Sequence, residues 1–132
     1  MNSPAATSAG CAAIAHVEIP VRDLARAMRF YETVFGLRFE TEDIDGNAMA
    51  HAVLSPDVPG ASLSLAHGDS YVPSLDGPRP YFRVPSAADA LARAISAGGR
   101  ELYPVTDVGA YGRVAEFEDS EGNCIALHEP RR

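Results

Sequence analysis

The stretch that decides the fold covers residues 16–37 and reads HVEIPVRDLARAMRFYETVFGL. Its first part alternates between apolar residues such as Val17 and Ile19 and polar ones, which predicts a strand with one apolar face. Asp23 then supplies a helix N-cap, apolar residues recur at helical spacing, and Gly36 ends the run. The domain is therefore expected to open with a strand followed directly by an amphipathic helix.

Three more strands are expected after this helix, so that the first half has the order β-α-β-β-β. They are predicted at Leu37–Glu40, Met49–Leu54 and Ala61–Ala66, with a turn at Asp45-Gly46-Asn47. The second half repeats the order. Its predicted elements are strands at Tyr81–Val84, Glu101–Val105, Tyr111–Glu118 and Cys124–Glu129, and a helix from the Ser86/Asp89 capping box to Gly98-Gly99. Each helix is expected to cover the apolar face of its own sheet.

The chain is expected to form a tail and a single domain. Residues 1–11 are predicted to be a flexible tail, and residues 12–132 the domain. Within the domain, module one spans 12–66, a connector with three prolines spans 67–80, and module two spans 81–130. The predicted fold class is α+β, with two βαβββ modules whose curved mixed sheets enclose a cavity between polar concave faces.

Composition excludes several classes of function. The 132 residues include 18 acidic and 11 basic side chains, and the net charge of −7 disfavours nucleic-acid binding. No apolar run is long enough to span a membrane, and no signal peptide or nucleotide-binding glycine motif is recognisable. Two cysteines are too few for a disulfide framework, so a cytoplasmic protein with free thiols is expected.

The sequence resembles the vicinal oxygen chelate superfamily, which includes glyoxalase I, bleomycin resistance proteins and extradiol dioxygenases. The resemblance covers residues 14–130. It is carried by the opening strand and helix through Arg29–Leu37, by Ala97–Arg100, and by Tyr111–Ala115 with the turn at Phe117–Asn123. The linker with Tyr71–Ser74 is similar to that of a poorly characterised glyoxalase-like branch. The resemblance implies the two-module fold and, by analogy with its members, a homodimer.

The resemblance also implies where a metal would bind. Metal-using members take four ligands from the first and fourth strands of each module, at positions that correspond to His16, Ser64, Arg79 and Ala126. Only His16 is a competent ligand, because serine offers a neutral hydroxyl, arginine a fixed cation and alanine no donor. The standard metal site is therefore expected to be absent. A relocated divalent-metal site that uses His16 and His128 stays open as the alternative.

Six residues are predicted to bind a ligand, from their place on the polar strand faces: His16, Glu18, Ser64, Tyr81, Arg83 and His128. His16 and Glu18 are the best candidates for acid–base catalysis, since imidazole titrates near neutral pH. Tyr81 offers an aromatic wall, and Arg83 suits a carboxylate or a phosphate. Glu18 and Arg83 are also candidates for a pair, which would either anchor a polar ligand or act as an ordinary structural salt bridge. For each residue an ordinary structural role is the competing interpretation.

Three functions are compatible with these observations. The favoured one is a glyoxalase/bleomycin-resistance-like protein that binds a small aromatic or cationic molecule without a cofactor. The alternative is a divalent-metal-dependent lyase, isomerase or dioxygenase with the relocated site. The third is a structural or regulatory module, which the polar strand faces disfavour.

Overall fold

Two four-stranded mixed sheets and two helices make up the fold of this computed structural model, which describes residues 10–132. Module one consists of β1 (His16–Pro20), α1 (Leu24–Phe35), β2 (Phe39–Ile44), β3 (Asn47–Ala52) and β4 (Ser62–His67). The strand order in its sheet is β1-β4-β3-β2. The β1–β4 pair is parallel, and the other pairs are antiparallel.

Module two repeats this arrangement. Its elements are β5 (Tyr81–Arg83), α2 (Ala87–Ser96), β6 (Arg100–Asp107), a 3-10 turn (Gly109–Tyr111), β7 (Arg113–Glu118) and β8 (Cys124–Glu129). The strand order is β5-β8-β7-β6, again with the first pair parallel and the others antiparallel. The predicted α+β fold with two βαβββ modules is thus confirmed.

The helix ends follow the local signals in the sequence. Asp23 caps α1 by accepting a hydrogen bond from the Arg26 amide at 3.0 Å, and Ser86 caps α2 by accepting one from the Asp89 amide at 3.1 Å. Gly36 closes α1 in the left-handed conformation, with φ of 69°. The helices have 12 and 10 residues, and no helix within residues 10–132 is long and apolar enough to cross a membrane.

Several strand bounds differ from the prediction. β2 begins at Phe39 and continues to Ile44, because it pairs with β3 as far as the Asp45-Gly46 turn. It is an exposed edge strand, so its sequence carries no apolar alternation. β7 begins at Arg113, because Gly109–Tyr111 forms a 3-10 turn and Gly112 adopts φ of 99°.

One hydrophobic core serves both modules. Phe35 of α1 stacks on Phe82 of β5 with ring centroids 4.2 Å apart, and Phe30 lies 5.9 Å from Phe117 of β7. The Arg93 guanidinium of α2 donates to the Val34 carbonyl at 2.9 Å. Each helix packs on its own sheet, as expected, and α1 also contacts β5 and β7 of module two.

The turn between β7 and β8, residues 119–123, joins module two to the beginning of α1. The Glu121 carboxylate accepts hydrogen bonds from the backbone amides of Arg22 at 2.9 Å and Asp23 at 2.8 Å, and the Arg26 guanidinium donates to both of its oxygens. Its side chain is 0% exposed. We call this contact between residues 119–123 and the beginning of α1 the anchored seam.

Two further buried bonds complete the anchored seam. The Tyr31 hydroxyl donates to the Asp119 carboxylate at 2.6 Å, and the Asn123 side-chain amide donates to the Pro20 carbonyl at 2.8 Å. Burial raises the pKa of the Tyr31 phenol, and the Asp119 charge raises it further. The Tyr31 phenol is therefore protonated at neutral pH and acts as the donor in this hydrogen bond.

The charge of Glu121 depends on these donors. Burial alone would raise the pKa of the carboxyl, but hydrogen bonds from Arg26, Ser120 and two backbone amides outweigh it and lower the pKa to about 2. The two amides belong to Arg22 and Asp23, which directly precede α1, so the carboxylate lies at the N-terminal end of the helix, where a negative charge is favoured. The anchored seam is thus held by an ionised carboxylate with no access to water.

Candidate functional site

A cavity of about 580 Å³ lies at a second contact between the modules. It opens between the loop at residues 53–61, the β5 strand and the C-terminal end of α1. Apolar side chains line most of it, among them Phe35, Leu37, Leu54, Val58, Phe82 and Val84. We call this contact the open seam.

The two seams occupy equivalent places in the two modules. Ser64 pairs with Glu18 in module one, just as Ala126 pairs with Tyr81 in module two. Ser64 and Ala126 are therefore equivalent positions, and the loop before β4 is equivalent to the turn before β8. The aligned stretches are Asp57-Val58-Pro59-Gly60-Ala61 and Asp119-Ser120-Glu121-Gly122-Asn123.

The side chains that fill the anchored seam have apolar or short counterparts at the open seam. Glu121, Asn123 and Tyr31 correspond to Pro59, Ala61 and Ala94, and Arg22 corresponds to Pro85. Proline has no amide hydrogen to donate, so the backbone bond that Arg22 makes has no equivalent. The cavity therefore lies where a carboxylate, an amide and a phenol would otherwise join the modules.

Two arginines are the charged residues that line this cavity. Arg83 comes from β5 and Arg93 from α2, and no aspartate or glutamate lines the cavity in the described chain. Arg93 donates through Nε to the Val34 carbonyl at 2.9 Å. The Arg83 guanidinium forms no ion pair with any residue from 10 to 132. Tyr81, 55% exposed, contributes a phenol beside them.

A second cavity of about 360 Å³ lies beneath the connector, on the other side of β1. Glu18, Asp76, Arg79 and Cys124 contribute its polar groups. The Tyr71 hydroxyl of the connector donates to Glu18 at 2.9 Å. The expected Glu18–Arg83 pair was therefore wrong, because the two residues face different cavities and Glu18 takes its hydrogen bond from Tyr71.

The structure separates the six predicted ligand-binding residues. Tyr81 and Arg83 line the open seam, and Glu18 lines the cavity beneath the connector. His16, Ser64 and His128 line neither. His16 Nδ1 lies 2.6 Å from the Ser62 hydroxyl, and His128 Nε2 lies 2.6 Å from the Tyr111 carbonyl oxygen. Since a carbonyl only accepts, His128 carries its proton on Nε2 in that contact.

The donor set at the family's metal positions does not fit a metal ion. Arg79 Nη1 lies 2.6 Å from a Glu116 carboxylate oxygen, and Ala126 presents only a buried methyl group. Ser64 is fully buried. Across residues 10–132, no group of three or more histidine, cysteine, aspartate or glutamate side chains is arranged to hold a metal ion. Arg79, Ser64 and Ala126 therefore do not provide the ligands that a divalent metal ion needs at these positions.

His51 lies at the centre of a series of hydrogen bonds across three strands. It was not among the predicted site residues. Its Nδ1 lies 2.6 Å from the Ser64 hydroxyl and its Nε2 lies 2.6 Å from the Glu42 carboxylate. This order resembles a serine–histidine–carboxylate relay, but the Ser64 hydroxyl is closed to substrate by burial. These two contacts therefore link β2, β3 and β4. The pairing of β3 with β4 could have revealed this contact, because His51 lies directly opposite Ser64.

Both cysteines are free thiols, as predicted. Burial raises the pKa of the Cys124 thiol, and the neighbouring Glu116 carboxylate at 3.8 Å raises it further. A thiol with a raised pKa is a weak nucleophile. Cys124 is therefore a packing residue at the edge of the smaller cavity.

Comparisons with known proteins agree with this fold. The domain model of the Glyoxalase/Bleomycin resistance protein/Dioxygenase superfamily matches residues 13–127. "Putative glyoxylase CFP32" of Mycobacterium bovis is 23% identical in an alignment of 126 residues that covers 88% of this chain and 45% of that protein. The chain thus spans about half the length of this curated relative.

Two solved structures illustrate the likeness. A glyoxylase/bleomycin resistance protein/dioxygenase domain from Frankia sp. EAN1pec superimposes with a TM-score of 0.71 at 23% identity, over 92% of this chain and 100% of that one. TnmS3, an antibiotic binding protein from Streptomyces sp. CB03234, superimposes with a TM-score of 0.65 at 21% identity, over 94% and 100%. With the family model spanning most of its length, this chain belongs to the glyoxalase/bleomycin resistance protein/dioxygenase superfamily.

Proposed function

We propose that this protein binds a small organic molecule in the open-seam cavity and does so without the four-ligand metal site of its superfamily. The observation that carries the proposal is the cavity itself. Its volume of about 580 Å³ lies within the range of small-molecule sites, and its apolar walls carry a few polar groups, as such sites do.

The loop side of the cavity supports a ligand role. Leu54 and Val58 line the cavity from the loop, yet Val58 remains 54% exposed. Apolar loop residues beside an open cavity gain burial when a molecule fills it. The stacked rings of Phe35 and Phe82 favour a ligand with a flat apolar body.

The antibiotic-binding neighbour gives this proposal a precedent on the same fold. TnmS3 is an antibiotic binding protein, and it covers nearly the whole of this chain. At 21% identity the likeness concerns the fold alone. The class of ligand that this chain binds therefore depends on the residues of its own cavity.

A neutral fluorescent probe tests the proposal. N-phenyl-1-naphthylamine is expected to bind one molecule per chain with enhanced fluorescence. Ala61→Phe places a ring in the cavity and should abolish this binding, whereas Ala110→Phe, on the exposed 3-10 turn, should leave it unchanged. No binding by the wild type, or equal binding by the Ala61→Phe variant, would overturn the proposal.

The metal-dependent alternative has its own test. Protein purified without tag or chelator is expected to carry far less than one transition-metal ion per chain by mass spectrometry, before and after incubation with nickel, zinc, iron and manganese. Near-stoichiometric metal that the His16→Ala/His128→Ala double variant loses would instead favour the lyase, isomerase or dioxygenase alternative.

We also propose that the protein is a cytoplasmic homodimer. The superfamily resemblance and the prevalence of two-fold assemblies support the dimer, and two free cysteines suit a reducing compartment. Sedimentation equilibrium is expected to give twice the chain mass. A monomer mass at micromolar concentration would contradict the dimer.

A further inference from the structure

We infer that the molecule bound at the open seam is an organic anion, with an apolar body in the cavity and an oxyanion head group held by Arg83 and Arg93. This inference rests on the proposed function and names its ligand class. It replaces the cationic ligand expected from net charge, since both charged residues that line the cavity are arginines.

Arg93 is a positioned cation. Its Nε donates to the Val34 carbonyl at 2.9 Å, which leaves the two terminal nitrogens of the guanidinium for another partner. A guanidinium held at one nitrogen loses less freedom when it binds a second group. Arg93 can therefore present its remaining donors to an anion from a set position on α2.

Arg83 has no carboxylate partner among residues 10–132 to balance its charge. Four other arginines in the described chain pair with carboxylates, and they are Arg26, Arg79, Arg100 and Arg131. Arg83 lies beside the apolar cavity and has no such pair among residues 10–132. The guanidinium has the planar fork that binds a carboxylate or a similar oxyanion through two hydrogen bonds.

Local and long-range electrostatics act in opposite directions here. The net charge of −7 repels an anion at a distance, so it lowers the rate of encounter. Near the cavity, apolar walls weaken dielectric screening and strengthen the attraction to two arginines. The expected signature is specificity for anions that depends on these side chains and declines with salt.

A matched pair of dyes tests the inference. The anion 1-anilinonaphthalene-8-sulfonate has the carbon skeleton of N-phenyl-1-naphthylamine plus one sulfonate. We expect the anion to bind roughly tenfold more tightly, which is the scale of a charge-assisted hydrogen bond. Arg83→Gln should lower the ratio of the two affinities from about tenfold towards one.

Controls separate this inference from the proposed function. Arg113→Gln makes the same charge change at an exposed position outside the cavity and should alter neither affinity. Arg83→Lys retains the charge without the fork and should give an intermediate affinity for the anion. Equal wild-type affinity for both dyes, or an equal loss of both in Arg83→Gln, would overturn the anion inference alone. Failure of both dyes to bind would overturn the proposed function as well.

Discussion

The anchored seam and the open seam occupy equivalent places in the two modules but differ in what fills them. At the anchored seam, Glu121 is fully buried and receives four hydrogen bonds from the beginning of α1. At the open seam, the equivalent residue is Pro59, and a cavity of about 580 Å³ remains. One copy of a repeated fold can therefore join the modules while the other keeps space for a ligand.

The capping of the two helices sharpens the same contrast. The amide at the beginning of α2, from Ala87, donates to Glu129 at 2.9 Å, and both residues belong to module two. The amides at the beginning of α1 donate to Glu121, which belongs to the other module. Only the α1 contact therefore couples helix capping to the association of the modules.

Replacing the buried carboxylate should have the largest effect. Glu121→Gln leaves the Arg26 guanidinium and two helix amides without their anion, so we expect a loss of about 3 kcal/mol in the free energy of unfolding. Urea unfolding at pH 7, followed by circular dichroism, measures this loss. Glu32→Gln on the exposed side of α1 is the matched control and should cost little. A loss below about 1 kcal/mol would show that the anchored seam is not held by Glu121.

Acid should weaken the anchored seam selectively. The pKa of Glu121 is lowered from 4.5 to about 2, so its contribution is fully present above pH 4.5 and is lost as the pH falls towards 2. The contribution is on the order of 3 kcal/mol. The difference in unfolding free energy between wild type and Glu121→Gln is therefore expected to disappear between these pH values. A difference that is constant from pH 6 to pH 2 would contradict this assignment.

Removal of one buried donor should have a smaller effect. Tyr31→Phe removes the hydroxyl that donates to the Asp119 carboxylate at 2.6 Å. We therefore expect a loss of about 1–2 kcal/mol in the free energy of unfolding. Thermal and urea unfolding can both measure it. Tyr103→Phe, at an exposed position of β6, serves as the control and should be nearly neutral. Equal losses in the free energy of unfolding for Tyr31→Phe and Tyr103→Phe would show that the Tyr31–Asp119 hydrogen bond does not stabilise the anchored seam.

The smallest effect is expected at α2. Glu129→Gln retains an acceptor for the Ala87 amide, and the contact lies within one module, so the loss should be below about 1 kcal/mol. Its urea midpoint should lie much closer to the wild type than that of Glu121→Gln. Similar urea midpoints for Glu121→Gln and Glu129→Gln would mean that the two carboxylates contribute equally to the stability of the protein.

Local signals account for the parts of the fold that the sequence predicted. Asp23, Gly36 and Ser86 act within one helical turn of themselves, so their neighbours in the sequence suffice to identify them. β2 is an exposed edge strand without alternation, and its extent depends on its partner β3. For that reason its bounds were wrong although its existence was predicted.

The seams depend on distant residues, so the sequence revealed less of them. Tyr81 and Arg83 were identified by alternation along a strand, and both lie at the open seam. Arg93 and Val58 lie on a helix and a loop and reach the cavity only through packing between modules. Glu121 was visible only as part of a family motif, because its partner Arg22 is 99 positions away.

The position of Glu121 has a consequence for synthesis on the ribosome. The chain emerges from its N-terminus, so α1 is complete long before residue 121 has been translated. The amides of Arg22 and Asp23, just before α1, must remain hydrated or bind another acceptor until the last hairpin appears. The native docking of the two modules is therefore expected to be a late step in the synthesis and folding of the chain.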